Sequence, residues 1–332
     1  MRIFVAMPLG AVRDSYMDGA TINRFKALGA RFNETENQLT EAEFREVMKT
    51  TDVLVTGWGH LDIKADMVKD TPLKLIVHTG GSVGALTESA LFDAGIRVLT
   101  GNEYFAESVA EGTLAYCLYA LRKMPLLSNA LSMHGQWGVE GASTEGLLDR
   151  TVGIVSLGAI SKHVIRMGQA FRIKFKVFST RRDEALAKEM GFTYADLDEI
   201  FTTCKVVSVH TAASPATKHM IDRRLLSLLT PDQILINTSR GMVIDELAMA
   251  EMLKEKRFRA VLDVFQEEPL SEGHHLVGLE NAMLFPHCGG PTMDRRVYIT
   301  NALLDDIESF MQGGSMVNEV PKEVAARMTV NL

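Results

Sequence analysis

At 332 residues, 46% hydrophobic and 23% charged, the chain has room for two domains that each bury a core, and its composition excludes disorder. A net charge of −7 leaves no basic field for nucleic acid or anionic lipid, and no uncharged run of about 18 residues is present to cross a bilayer, so no nucleic acid and no membrane is expected as a partner. Cys117, Cys204 and Cys288 are too few and too widely spaced for a disulfide framework or a zinc site, and His274 and His275 read as solvated loop residues; no metal is expected, and the expected location is cytoplasmic.

In chain order, RIFVAM, DVLVTGW, LKLIVHT and GIRVLTG are short apolar runs bounded by Gly, Asp or Pro, which predict buried parallel strands. RDSYMDGATINRFKALG, after the first of them, has helical periodicity. Residues 103–123 predict one long apolar-striped helix, a domain connector or a subunit-packing surface, and from that stripe follows the expectation of a homodimer. SMHGQWGVEGAST then reads as a loop. TVGIVS, KFKVFS, VVSVH, QILINT, RAVLDV and AMLFP predict six further strands, with helices at about 159–171, 183–191, 222–228 and 244–256 between them and a last helix near 291–313. The pattern predicts an α/β chain of two doubly wound parallel-sheet domains. One is a Rossmann-type cofactor domain over 101–291; the other is a flavodoxin-like substrate domain, discontinuous, from 1–100 plus 292–332.

Residues 151–171, TVGIVSLGAISKHVIRMGQAF, have the layout of the dinucleotide fingerprint GxGxxG, with Ser156, Gly158 and Ser161 at its three glycine positions. Gly158 is where backbone must approach a diphosphate, whose charge would rest on N–H groups around Gly158, Ala159 and Ile160 at the helix N-terminus. Ser161 is small enough for the helix to lie close to the strand, whereas Ser156 places a Cβ where the turn calls for glycine. Read alone, the motif fits an ordinary α/β turn as well as a cofactor site. Eighteen residues after Ser161, the position of the usual ribose-binding acid holds Ser179, followed by Arg181 and Arg182. An absent acid beside arginine favours a 2′-phosphate, hence NADP over NAD. The competing explanation is a solvated helix start at which Asp183 and Glu184 balance the arginines.

Three later segments, INTSRGMVIDELAMAEML, LDVFQEEPL and FPHCGGPT, stand in the order and spacing of NxxRGxxxDExAL, DVFxxEPL and PHxGGxT. With them the chain resembles the D-isomer-specific 2-hydroxyacid dehydrogenase family over nearly all its length. The resemblance implies reduction of a 2-keto acid, which needs a cation for the substrate carboxylate and carbonyl, a proton donor for the forming alkoxide, and hydride from a nicotinamide. By family position these roles fall to Arg240, whose guanidinium can clamp a carboxylate bidentately, and to His287 as the acid, with Glu268 favouring its imidazolium form. Asp263 is implied to hold the nicotinamide amide, with Thr211, Thr217, Thr238 and Gly290 as further cofactor neighbours. The substrate loop is implied to be VHTGGSVGAL, where N–H groups of Gly80, Gly81 and Ser82 can form an anion-binding concavity and His78 stands where phosphate-handling relatives have a basic residue. Ser82 and Gly84 replace the Gly and Asp common in the family's GxGxD, which leaves glyoxylate, hydroxypyruvate and larger 2-keto or 2-hydroxy acids all open. The altered glycine pattern also admits another class, a dinucleotide-sensing binding protein on the same fold with little turnover; the complete Arg, Glu and His set argues for the enzyme.

Overall fold

The computed structural model describes residues 1–84 and 86–329, and the chain divides into two compact units, Met1–Ala106 with Pro291–Leu332, and Glu107–Gly290. The first unit holds β1 (Ile3–Val5), β2 (Arg31–Phe32), β3 (Val53–Thr56), β4 (Leu75–His78) and β5 (Arg97–Thr100), all parallel in the order β2-β1-β3-β4-β5. That order is the flavodoxin-like one. Side chains alternate across it. Phe4, Leu54, Ile76 and Val98 meet Phe44 and Leu91 on one face; Val5, Val55, Val77 and Leu99 meet Phe25 and the Met293–Met311 helix, through Ile299, Leu303 and Ile307, on the other. Both faces are therefore covered, which is why these strands read as continuous apolar runs.

The helix expected within residues 13–29 is two helices, Ala11–Tyr16 and Gly19–Ala27. Met17 is extended, and the Asp18 carboxylate accepts the Thr21 N–H and caps a fresh start. The two-residue β2 has no apolar run to announce it.

The second unit holds β6 (Thr151–Val155), β7 (Lys174–Phe178), β8 (Phe192–Tyr194), β9 (Val206–Val209), β10 (Ile234–Asn237), β11 (Arg259–Leu262) and β12 (Ala282–Leu284). Their order, β12-β11-β10-β9-β6-β7-β8, is the Rossmann arrangement with one strand added beyond β11, again all parallel. All six expected strands are present; β8 is the unexpected one, a three-residue edge. The order reverses between β6 and β9, so the turn after β6 lies at the switch point where such sheets take ligands.

The Asn102–Leu121 helix begins in the first unit and continues into the second. In place of the loop expected after it, a second helix runs over Met124–His134, started by Pro125 in its first turn and stopped by Gly135 in the left-handed conformation. The exposed apolar side chains lie on that second helix, at Met124, Leu126, Leu131 and Met133, and at Trp137 just beyond it, whereas Ala110, Leu114, Cys117 and Leu121 of the first are buried. Among the described residues no helix is long and apolar enough to cross a membrane.

Candidate active site

The turn after β6 uses both of its serines. Ser156 sits at φ +77°, the left-handed conformation the fingerprint reserves for glycine, and its hydroxyl lies 2.8 Å from the Thr211 hydroxyl. The buried Ser161 hydroxyl donates to the Ser156 carbonyl at 2.6 Å. The first and third positions are thus tied to each other and to the end of β9. Gly158 precedes the Ala159–Gly168 helix, has no side-chain cap, and a Cβ built on it would meet nothing within 4 Å. Bare N–H groups and open space at that point fit a diphosphate.

After β7, the Ser179 hydroxyl donates to the Arg181 carbonyl at 2.7 Å and accepts the Arg181 N–H at 3.2 Å, forming a tight turn. Arg182 pairs with Asp196 at 3.0 Å and lies over the Tyr194 ring, and Asp183 caps the next helix through the Leu186 N–H. The arginines therefore part company. Arg182 is engaged, while the exposed Arg181 side chain makes no ion pair among the described residues.

Arg240, Glu268 and His287 each follow a strand of the second sheet: Arg240 lies after β10, Glu268 after β11, and His287 after β12. Asn237 shapes the first loop, its amide donating to the Arg240 carbonyl and its oxygen accepting the Ser239 N–H and hydroxyl. Gly241 is required next, because a Cβ there would run into the backbone of Phe265 and Gln266, so the loop carrying Arg240 lies against the turn carrying Glu268. One guanidinium nitrogen of Arg240 donates to the Ser239 carbonyl at 2.6 Å. Burial lowers the Arg240 pKa from its ordinary value, with the Glu268 charge pulling the other way.

His287 Nδ1 lies 2.7 Å from Glu268 Oε2, and Glu268 Oε1 accepts the Phe265 N–H at 2.9 Å. The carboxylate is held from behind while it orients the imidazole. The His287 side chain is 48% exposed, so its other nitrogen is available to a ligand.

Several residues expected to bind ligands are bonded within the protein. Asp263 is 2% exposed, Oδ1 accepts the Cys288 N–H and the Tyr116 hydroxyl, and Oδ2 accepts the Gly289 N–H. His78 offers no cation. It is buried against the Thr56 hydroxyl at 3.0 Å, and burial pulls its pKa down to about 4. Thr217 bonds within its own turn, to the Ala212 carbonyl, and Thr238 is buried 3.3 Å from the Thr113 hydroxyl. A Cβ at Gly290 would meet open space. In the first unit, Thr100 Oγ1 donates to the carbonyls of Gly80 and Gly81, and among the described residues the N–H groups of Gly80, Gly81 and Ser82 donate to none. The Ser82 hydroxyl donates to the Thr329 carbonyl. His274 and His275 are not solvated: both face Oε1 of buried Glu246, at 3.2 and 3.4 Å. The Leu276 N–H donates to His274 Nδ1, and Glu246, His274 and His275 each bring one possible ligand atom within 4.8 Å of the others, a cluster not expected from the sequence.

Residues 114–289 match the family model of the D-isomer specific 2-hydroxyacid dehydrogenase NAD-binding domain. The chain belongs to the D-isomer-specific 2-hydroxyacid dehydrogenase family. A D-3-phosphoglycerate dehydrogenase of Methanocaldococcus jannaschii is 30% identical over 86% of this chain and 55% of its own length, so the chain spans about half of that relative. A glyoxylate reductase of Aeropyrum pernix is 28% identical over 79% of this chain and 81% of its own. Among solved structures, an acyclic imino acid reductase in complex with NADPH and D-Arg superposes with a TM-score of 0.78 at 25% identity, over 97% of this chain and all of that one. As a 2-hydroxyacid dehydrogenase family member the chain is an oxidoreductase with a nicotinamide-dinucleotide domain, into which the open Gly158 turn fits.

Proposed function

We propose that this dehydrogenase reduces a small 2-keto acid, of the glyoxylate or hydroxypyruvate kind or larger, with His287 as the proton donor. The observation that carries the reading is the 2.7 Å contact from His287 Nδ1 to Glu268, which fixes one face of the ring and leaves the other nitrogen for substrate. Bound at the Gly158 turn, the dinucleotide supplies the hydride. Arg240 binds the substrate carboxylate, Glu268 orients the imidazole, and the N–H groups of Gly80, Gly81 and Ser82 form an anion concavity in the first unit. Ser179 in place of an acid, with Arg181 beside it in no ion pair among the described residues, supports NADPH over NADH. The exposed apolar side chains of the Met124–His134 helix support a homodimer, and a cytoplasmic location is the expectation from the sequence.

The test is a panel of 2-keto acids with NADPH and NADH, repeated with H287N. The substitution is expected to lower kcat by about 100-fold or more while cofactor affinity changes little, since general acid catalysis contributes about 10² to 10⁴. Wild-type turnover in H287N sinks the assignment of the acid. Tight dinucleotide binding without turnover on any of the panel replaces the enzyme with the dinucleotide-sensing protein. Light scattering on the eluted peak reports the oligomer.

A further inference from the structure

Tyr116 lies in the apolar stripe of the Asn102–Leu121 helix, where a phenol hydroxyl needs a partner in order to be buried. Its partner is the least exposed carboxylate near the site: the hydroxyl donates to Asp263 Oδ1 at 3.0 Å. The same carboxylate accepts the N–H groups of Cys288 and Gly289, both at 2.9 Å, the two residues that follow His287. Before His287, the Tyr116 ring packs on Phe285 with centroids 4.4 Å apart. Two glycines let the helix come this near: a Cβ on Gly112 would press on the Gly289 carbonyl, and one on Gly289 would press on Asp263 and the Tyr116 ring. The segment is therefore gripped on both sides of the imidazole. The grip matters because His287 itself holds φ +51°, a conformation a β-substituted residue keeps only when its surroundings fix it.

We infer that Tyr116 is a positioning residue for His287, acting through Asp263 and Phe285 on the backbone that carries the imidazole, an inference that rests on the reductase reading above. The hydroxyl supplies one of three donors to a carboxylate that is 2% exposed. Without it Oδ1 keeps only the Cys288 N–H, and the clamp on residues 288 and 289 loosens. Burial, the Cys288 thiol contact and the Asp263 charge push the phenol above the usual tyrosine range, so it remains a donor at any working pH. The Nδ1–Glu268 bond then opens more often, and the other nitrogen loses its fixed aim.

The experiment compares Y116F, which keeps the ring on Phe285 and removes the hydroxyl, with Y116L, which removes both. Y116F is expected to lower kcat by about 5- to 50-fold, with KM for the 2-keto acid and Kd for the dinucleotide each within about twofold, because misplacement of a reacting group by a fraction of an ångström costs rate rather than binding. The solvent deuterium isotope effect on kcat is expected to rise as proton donation limits turnover more, which a smaller folded fraction does not produce. Y116L is expected to lose more than Y116F; if it does not fold, Y116F decides alone. An arm free of activity uses ¹⁵N-histidine NMR of the full chain: the His287 Nδ1 proton, shielded by Glu268 in the wild type, is expected to exchange faster with water in Y116F. Wild-type kcat, isotope effect and exchange rate in Y116F overturn the inference. A wild type that reduces no 2-keto acid removes the reductase reading instead, while the exchange rates still decide whether Tyr116 holds His287.

Discussion

Ser156 presents a balance that two substitutions can separate. Its left-handed φ of +77° costs a β-substituted residue about 1 to 2 kcal/mol relative to glycine. The 2.8 Å bond to Thr211 returns about 1 kcal/mol. Glycine would remove the strain but also the bond, and would add about 0.5 to 1 kcal/mol of unfolded-state entropy. The sum for S156G is near zero, within about 1 kcal/mol in stability. Its effect on dinucleotide affinity is expected to be below about fivefold, because the backbone N–H groups around Gly158 are untouched. S156A keeps the strain and loses the bond, so it should be the worse variant by about 1 kcal/mol. Urea denaturation gives the stabilities, and titration calorimetry with NADPH gives the affinities. S156A indistinguishable from wild type, or S156G more stable by over about 2 kcal/mol, refutes the claim that the hydroxyl offsets the strain. A folded wild type that fails to bind while S156G binds makes the turn degenerate.

Two further outcomes follow from charges elsewhere in the structure. R181A is expected to weaken NADPH binding by about 1.5 to 3 kcal/mol and NADH binding far less, measured as the two Kd values; two Kd values that R181A leaves unchanged mean the side chain meets only solvent, and an equal loss for both means it does not read the 2′-phosphate. The buried His78 and His210 stay neutral in the fold, with pKa values brought by burial to about 4 and about 3, whereas the unfolded chain takes up their protons near the ordinary value of 6.5. The unfolded state thus binds more protons below that value, and stability that is complete above about pH 6.5 falls as pH drops, His78 alone removing about 3 kcal/mol by pH 4. Urea midpoints from pH 7.5 to 4.5 should fall accordingly and the slope should flatten in H78Q; flat midpoints in the wild type contradict it.

The strands buried on both faces were legible because burial leaves a continuous apolar run, as in ILIN at β10 and VVSV at β9. The edge strands β2 and β8 were not, since two or three half-exposed residues leave no pattern. Arg240, Glu268 and His287 were found because the segments that carry them resemble the family's motifs in order and spacing, and Glu268 and His287 do meet. What spacing could not convey is which polar group is turned inward. Asp263 and His78 carry residue types suited to ligands, but their partners come from segments far away in sequence, and those partners leave the carboxylate pinned and the imidazole neutral. Tyr116 had one legible sign, a hydroxyl in an otherwise apolar stripe. The serines of the turn looked like losses because the compensating hydroxyl, on Thr211, lies 55 residues on.

The interrupted sequence of the first unit has a consequence for how the molecule comes into being. Glu107–Gly290 is continuous, so a growing chain exposes every residue of the second unit before Pro291 leaves the ribosome. The first sheet, by contrast, waits for the Met293–Met311 helix that covers one of its faces and for the segment in which Asp306 accepts the Val317 and Asn318 N–H groups and Glu319 pairs with Arg97 on β5. Until then β1 to β5 carry an uncovered apolar face. Domains fold as units during synthesis, so the half made first is finished last, with one face of its sheet open in the interval.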